Sequence, residues 1–175
     1  FPETHASYNI VPENPIRRGG AKSILEVGID FGVECTVYSL IEKMGIVCNM
    51  LFVKSWGGKG IELIAPEIAT LLDQHNPTII KADSKPVEYQ GKIEKYTNKK
   101  IYYIDAAKKE NDEQGKLMSV RQNMLGQLQN KWKKHYLIIP EMFVNTIVQI
   151  KKFKLGMSRG DDYVDSLALA CYEPS

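Results

Sequence analysis

The sequence predicts an α/β fold: a mixed β-sheet with a three-strand antiparallel part and further parallel strands, flanked by helices. Short apolar runs typical of strands alternate with stretches of helical periodicity. The early runs are joined by a tight turn, as in a hairpin. The later ones follow helices, and strand–helix–strand crossovers place the second strand parallel in the same sheet.

Composition fits a single ordinary domain. The chain has 175 residues, enough to bury a core. Its net charge of +2 is too small to prove a nucleic-acid partner, although local basic clusters matter more than the sum. No apolar run is long enough to cross a membrane. The 3 scattered cysteines favour neither a disulfide framework nor a zinc site, and fit a reducing cytoplasm.

The chain divides at a change of pattern near residue 22. Residues 1–22 are rich in proline and glycine, which predicts a linker or an N-terminal arm. Residues 23–175 are expected to form the domain. Its first strand is Ile24–Ile29, a buried apolar run. Thr36–Glu42 and Ile46–Val53 follow as a hairpin, because both are rich in β-branched and aromatic residues.

A helix is predicted over Gly60–His75, where apolar residues recur at helical spacing before an Asn-Pro stop. The short apolar runs Thr78–Ala82 and Ile101–Ile104 predict strands. Pro86–Asn98, between them, is interpreted as one short helix. The charged residues 106–116 are expected to form a loop or the start of a helix.

The last third is predicted to be mostly helical. Leu117–Trp132 carries an apolar stripe at helical spacing, and Tyr136–Ile139 is a brief sixth strand. A helix over Glu141–Lys152 and a final helix over Asp161–Tyr172 complete the order. That final helix has apolar residues on one face, by which it can pack on the sheet.

Four aspartates are the candidate site. Asp30 and Asp83 each end a predicted strand, and open α/β sheets place their sites at the carboxyl ends of strands. Asp162 and Asp165 are three residues apart on the final helix and share a face. Clustered carboxylates repel one another unless a cation is present. They are the ligands that hard divalent cations prefer, and two such cations can drive phosphodiester hydrolysis.

Three segments resemble the nuclease domain of phage terminase large subunits. They are Ile29-Asp30-Phe31-Gly32, Ala82-Asp83-Ser84, and residues 160–170, GDDYVDSLALA. The resemblance covers roughly residues 23–173 and implies an RNase H-like fold. It also implies that Asp30, Asp83, Asp162 and Asp165 ligate two Mg²⁺ or Mn²⁺ ions, with Asp30 between them. Whether Asp161 or Asp162 is the second ligand on the helix stays open.

The same resemblance implies the biological setting. The expected activity is metal-dependent endonucleolytic cutting of concatemeric double-stranded viral DNA in the cytoplasm of an infected bacterium. In such proteins an ATPase motor precedes the nuclease, and a portal and a small terminase subunit are partners. The glycines around Lys59 do not have the spacing of a phosphate-binding P-loop, so we expect the motor outside this chain.

Two basic clusters are candidate DNA contacts that would hold phosphates near the acidic site. They comprise Lys131, Lys133, Lys134, Lys151, Lys152 and Lys154. Two alternatives remain open: a docking and DNA-clamping module of the packaging motor, or a resolvase-like nuclease that prefers branched DNA. A metal-induced gain in stability distinguishes a nuclease from a pure docking module.

Overall fold

The computed structural model describes residues 1–2, 6–20, 22–32, 34–153 and 162–174. Within these ranges the strands are β1 (Ile10–Val11), β2 (Ile24–Phe31), β3 (Cys35–Met44), β4 (Val47–Gly57), β5 (Ile79–Asp83), β6 (Tyr102–Ile104), β7 (Lys109–Asn111), β8 (Leu117–Ser119) and β9 (Leu137–Pro140). The helices are α1 (Ala6–Asn9), α2 (Ile61–His75), α3 (Val120–Lys133), α4 (Val144–Lys152) and α5 (Asp162–Cys171).

Seven strands form one mixed sheet in the order β1-β9-β4-β3-β2-β5-β6, which confirms the predicted fold class. β2, β3 and β4 are antiparallel, whereas β5 is parallel to β2 and β6 to β5. β9 is parallel to β4. β2, β4, β5, β6 and β9 therefore all run the same way, and their carboxyl ends share one edge of the sheet.

Helices cover both faces of the sheet. α2 packs on one face through an apolar stripe of Ile61, Ile64, Ile68 and Leu72. α3, α4 and α5 pack on the other, over a second cluster of buried side chains that includes Trp132. The layering is helix–sheet–helix, as the apolar periodicity predicts. Among the described helices, none combines the length and apolarity that a bilayer crossing needs.

The N-terminal segment packs on the domain that follows it. β1 pairs with β9, and the Phe1 side chain is buried between the rings of Trp132 and Phe153. The amino group of Phe1 donates to the carbonyls of Ile150 and Phe153, both at 2.9 Å. This segment thus adds a strand and an aromatic side chain to the core.

The prediction of one helix over Pro86–Asn98 is wrong. The segment instead forms two 3₁₀ turns, Val87–Tyr89 and Ile93–Lys95, with Gly91 between them at φ 83°. A positive φ is incompatible with a continuous right-handed helix. Ile93, in the second turn, is buried in the same cluster as the apolar face of α2.

The segment 106–119 also differs from the prediction. Lys109–Asn111 and Leu117–Ser119 pair as a separate antiparallel hairpin, so α3 begins at Val120 rather than at Leu117. Ser119 caps α3: its side chain accepts from the Gln122 amide, and the Gln122 side chain accepts from the Ser119 amide. This reciprocal cap fixes the helix start.

Candidate metal centre

The parallel pairing of β2 with β5 brings Asp30 beside Asp83. Ile29 pairs with Ala82, and the following residue on each strand is the aspartate. Neighbouring strands lie about 4.8 Å apart. Both carboxylates are therefore at the edge formed by the carboxyl ends of β2 and β5, called here the carboxylate edge. The strand-end prediction is confirmed for the placement of both residues.

α5 reaches this edge because it lies unusually close to β2. A Cβ atom on Gly28 would sit 2.2 Å from the Ser166 carbonyl oxygen and 2.4 Å from the Ala170 nitrogen. The buried Ser166 hydroxyl is within hydrogen-bond distance of the Gly28 carbonyl (2.9 Å), the Val37 carbonyl (3.1 Å) and the Ser39 hydroxyl (2.8 Å). Only glycine permits this approach, which holds the first turn of α5 over the end of β2.

Asp162 lies in the space left by another glycine. Its Oδ1 would be 2.2 Å from a Cβ on Gly32, and its Oδ2 accepts from the Cys35 thiol at 3.3 Å. The Asp162 side chain also hydrogen-bonds that of Asp30. Burial and this carboxylate raise the pKa of the Cys35 thiol to about 12, so Cys35 is a neutral donor.

Asp30 is the buried centre of the group, with 6% of its surface exposed. Burial raises its pKa well above the usual range, and the charges of Asp165, Asp162 and Asp83 raise it further. A raised pKa means that Asp30 keeps its proton to a higher pH than an exposed aspartate does. Without a cation, proton uptake is thus the means by which this cluster limits its negative charge.

Asp83 adds a half-buried carboxylate. Burial raises its pKa, the Lys85 amide that donates to its Oδ1 at 3.1 Å opposes this, and Asp105 raises it. Asp105 directly follows β6, which pairs with β5, and it is an acid of this edge that sequence analysis missed. The signal was present, because Asp105 ends an apolar strand just as Asp30 and Asp83 do.

Asp165 is engaged by an arginine. Nη2 of Arg121, at the start of α3, lies 3.2 Å from Oδ1 and 3.3 Å from Oδ2. Sequence analysis did not find Arg121, because its position depends on the packing of α3 against α5. The structure thus brings the four predicted aspartates together and adds Asp105 and Arg121. Asp161 lies outside the described residues.

The start of α5 is fixed by α4 and β4. The Gln149 side chain accepts from the amides of Tyr163 (2.8 Å) and Val164 (3.4 Å), and so satisfies two free donors of the first turn. The Tyr163 hydroxyl donates to the Ser55 hydroxyl at 2.7 Å. These contacts orient the helix face that carries Asp162 and Asp165.

The opposite end of α5 is fixed by a buried ionic network. Nζ of Lys81 donates to the carbonyls of Ala170 (3.0 Å) and Tyr172 (2.7 Å) and lies 3.1 Å from Glu26. Glu26 also pairs with Lys43 at 2.8 Å. A cation at a helix C-terminus satisfies free carbonyls and complements the helix dipole. α5 is therefore anchored at both ends.

The donor set fits hard divalent cations, but the side chains do not surround an ion. Within the described ranges, no three His, Cys, Asp or Glu side chains are arranged to hold one ion. Three carboxylates each have a separate partner instead: the Cys35 thiol for Asp162, the Lys85 amide for Asp83, and the guanidinium of Arg121 for Asp165. The ligand atoms that these carboxylates offer are all oxygens, which Mg²⁺ and Mn²⁺ prefer.

One predicted basic cluster, that of Lys131, Lys133 and Lys134, lies at the opposite edge of the sheet. Nζ of Lys131 donates to the carbonyl of Ile46 at 2.6 Å, in the β3–β4 turn at the edge opposite the carboxylates. Lys133 and Lys134 follow at the end of α3. The start of α3 is at the carboxylate edge through Arg121, so the helix spans the sheet from one edge to the other.

Lys151 and Lys152 lie at the end of α4, next to Phe1, whose ring is 6.0 Å from that of Trp132 near the end of α3. The expectation that the basic clusters lie near the acidic site is therefore wrong for Lys131, Lys133 and Lys134. For Lys151 and Lys152 it stays a prediction, because Gln149, on the same turn of α4, contacts the first turn of α5. Binding of DNA by the described lysines stays a prediction. Lys154 lies outside the described residues.

No protein-family model matches this sequence, and a search of curated proteins finds no match. Solved structures do match. The large terminase nuclease of thermophilic phage G20c with bound zinc is 17% identical, with a TM-score of 0.66 and 95% of each chain covered. The same nuclease has been solved with bound cobalt.

Two further phage proteins match to a similar degree. The large terminase nuclease domain of Thermus phage P74-26 is 15% identical, with a TM-score of 0.68 over 95% of this chain and 92% of that one. The large terminase of another thermophilic bacteriophage is 11% identical, with a TM-score of 0.68 over 94% of this chain and 42% of that chain. The chain therefore has the RNase H-like fold of the large terminase nucleases.

Proposed function

We propose that this chain is the nuclease domain of a viral DNA-packaging terminase and that it cuts concatemeric double-stranded DNA by metal-dependent hydrolysis. The observation that carries the proposal is the convergence of Asp30, Asp83, Asp162 and Asp165 at one sheet edge, in the fold of large terminase nucleases. The zinc and cobalt bound by the G20c nuclease support a divalent-metal centre.

The four aspartates would hold two Mg²⁺ or Mn²⁺ ions, with Asp30 as the ligand shared by both. When bound, such ions would supply an activated water and stabilise negative charge on the reacting oxygens. Asp30 suits the central position because it is buried and close to the other three carboxylates. A bound divalent cation would favour the ionised form of these carboxyl groups and offset their mutual repulsion.

The protein's own groups hold and orient these ligands. Gly28 and Ser166 seat α5 on β2, and Gln149 fixes its first turn. The described histidines are engaged elsewhere: His75 hydrogen-bonds the Tyr38 hydroxyl at 2.8 Å, and His135 stacks on Tyr8. No histidine general base is therefore assigned.

The proposed setting is the packaging motor. The large terminase that is 11% identical to this chain is matched over 42% of its own length. We infer that an ATPase domain lies outside the matched part of such a protein. We assign the ATPase domain, double-stranded DNA, the portal and the small terminase subunit as partners. The proposed location is the cytoplasm of the infected bacterium.

Plasmid cleavage tests the proposal. The protein should nick and linearise supercoiled plasmid with Mn²⁺ or Mg²⁺, with little sequence preference, and should be inactive with EDTA. Asp83→Asn and Asp30→Asn should each lower the rate by at least about 100-fold, since loss of a catalytic electrostatic contact costs that much. Glu67→Gln, which neutralises an exposed acid on α2, is the matched control. Full activity of Asp83→Asn would contradict the assignment.

A further inference from the structure

The ion pair between Arg121 and Asp165 has a geometry that bears on metal binding. A single nitrogen, Nη2 of Arg121, lies almost equally far from both carboxylate oxygens, at 3.2 and 3.3 Å. It thus occupies the position between the two oxygens of Asp165, where a cation bound by both would sit. The guanidinium therefore occupies the position that a metal ion bound to both oxygens of Asp165 would take.

The backbone of Arg121 is fixed, whereas its side chain can exchange partners. The Arg121 amide donates to the Ala106 carbonyl at 2.9 Å, and the neighbouring Val120 amide donates to the Lys108 carbonyl at 2.8 Å. The side chains of the pair remain 29% and 17% exposed. Both side chains therefore keep some contact with water, which can hydrate the two charges when the pair opens.

A divalent cation on Asp165 and the guanidinium of Arg121 compete. Both draw on the same two oxygens, and their like charges repel at this range. The Arg121 amide is bonded to the carbonyl of Ala106, and Asp105 directly precedes Ala106. A further carboxylate of the edge is therefore close to the backbone of Arg121. Entry of metal therefore favours release of the Arg121 side chain.

Once released, the guanidinium of Arg121 can bind a phosphate group of the DNA backbone. Guanidinium groups bind phosphate oxygens through paired donors. Arg121 is in the first turn of α3, a helix of 14 residues whose positive dipole end faces the carboxylate edge. An anionic strand lying across the metal ions would pass within reach of this end of α3.

We propose that Arg121 is an exchangeable cation of the centre. It neutralises Asp165 until a divalent cation takes that carboxylate, and it then binds a phosphate of the DNA strand. This inference rests on the proposed function, because it needs Asp165 to be a metal ligand. It assigns Arg121 two roles, as a competitor of the metal and as a substrate-binding residue.

Titration of the intact protein with Mn²⁺, followed by electron paramagnetic resonance, tests the first role. Arg121→Gln should bind Mn²⁺ about three- to fivefold more tightly, because the competing ion pair, which keeps some contact with water, is gone. Arg121→Lys, which keeps the charge, should fall between it and the wild type. Lys108→Gln removes an equal charge from the neighbouring segment and should change the affinity less.

DNA binding tests the second role. With Ca²⁺ in place of the activating ion, Arg121→Gln should weaken binding of a short duplex, measured by fluorescence anisotropy, by more than Lys108→Gln does. The slope of log affinity against log salt should fall by about 0.9, the value for one phosphate contact. Equal losses in the two variants would overturn the phosphate contact, since Arg121 would then act only through net charge.

The variant Asp165→Asn distinguishes failure of the proposed exchange from failure of the proposed metal centre. If Asp165→Asn weakens Mn²⁺ binding but Arg121→Gln leaves it unchanged or weakens it, the exchange is wrong and the metal centre stands. If Asp165→Asn leaves Mn²⁺ binding unchanged, Asp165 is not a ligand, and the proposed site and the exchange both fail. Thermal unfolding of each variant verifies that it is folded.

Discussion

Asp30, whose carboxyl group is buried, is the residue on which the candidate metal centre depends. Its pKa is raised first by burial and then by Asp165, Asp162 and Asp83. A raised pKa means that the folded protein holds a proton which the unfolded chain would release. The free energy of unfolding of the metal-free protein therefore falls as rising pH ionises this group.

A pH series on the metal-free protein measures this penalty. Stability from Asp30 should be fully present below its ordinary pKa of 3.8 and should be lost as the pH rises through the higher folded pKa. The melting temperature of the wild type should therefore fall relative to that of Asp30→Asn as the pH increases above about 4. Parallel curves for the two proteins, recorded in EDTA, would show that Asp30 is not perturbed.

Residue-level prediction from sequence succeeded where a local rule applied. Asp30 and Asp83 follow apolar strands, and Asp162 and Asp165 share a helix face, so their types and spacing indicated the site. Arg121 was missed because nothing in its local sequence distinguishes it from any arginine in the first turn of a helix. Its role arises from the packing of α3 on α5, which spacing along the chain does not encode.

At the scale of elements, the site depends on how closely α5 approaches β2. Gly28→Ala would place a methyl carbon 2.2 Å from the Ser166 carbonyl oxygen, so the helix must shift. The free energy of unfolding should fall by about 1–3 kcal/mol or more, the usual cost of overpacking. Urea denaturation of the metal-free protein measures it.

Gly126→Ala is the matched control for this change. Gly126 is inside α3, and a Cβ there meets nothing within 4 Å. Alanine should therefore stabilise the protein by about 0.5–1 kcal/mol through helix propensity. Equal effects of the two substitutions would mean that the close contact of α5 with β2 does not constrain the fold. A loss of cleavage in Gly28→Ala is also expected, because Asp162 and Asp165 would move with the helix.

Element prediction was accurate for the long helices and for the short strands of the main sheet, and it was wrong for Pro86–Asn98 and for Leu117–Ser119. α2 was correctly predicted because 15 residues carry a repeating apolar stripe. Leu117–Ser119 was assigned to a helix although it is a strand, because Leu117 fits the stripe of α3 but is exposed. The Ser119 and Gln122 pair, which spells a helix-capping box, was a readable signal for the true start.

For the whole molecule, the sheet separates charge between its two edges. The carboxylates lie at the carboxyl ends of β2 and β5, whereas Lys131 is bonded to Ile46 at the other edge. β2 has 8 residues, so the edges are roughly 26 Å apart. A DNA phosphate bound by the Lys131 cluster would thus be remote from the proposed metal centre.

Replacing Lys131, Lys133 and Lys134 together by Gln tests this separation. Single-turnover cleavage at saturating protein should stay within about twofold of wild type, because the phosphate contacts removed are sequence-independent and distant from the reaction. Affinity for a long duplex should fall if the cluster binds DNA. A large loss of the cleavage rate at saturation would show that these lysines act at the site.

The central part of the topology was predictable, because the β3–β4 hairpin and the crossover from β2 to β5 each obey a local rule. The pairing of β9 with β4 and of β1 with β9 was not predicted. The distribution of lysines was not predictable. It depends on which way α3 and α4 run across the sheet, and their apolar stripes do not specify a direction. Residues 1–2 likewise gave no sign that Phe1 would be buried against Trp132.

The proposed metal centre requires that the four aspartates bind divalent cations together. Anomalous diffraction from crystals soaked in Mn²⁺ tests it most directly. We expect two manganese peaks at the carboxylate edge, with oxygens of Asp30 and Asp83 and of Asp162 or Asp165 at ligand distance. Manganese bound only elsewhere, with these four side chains unmoved, would contradict the account.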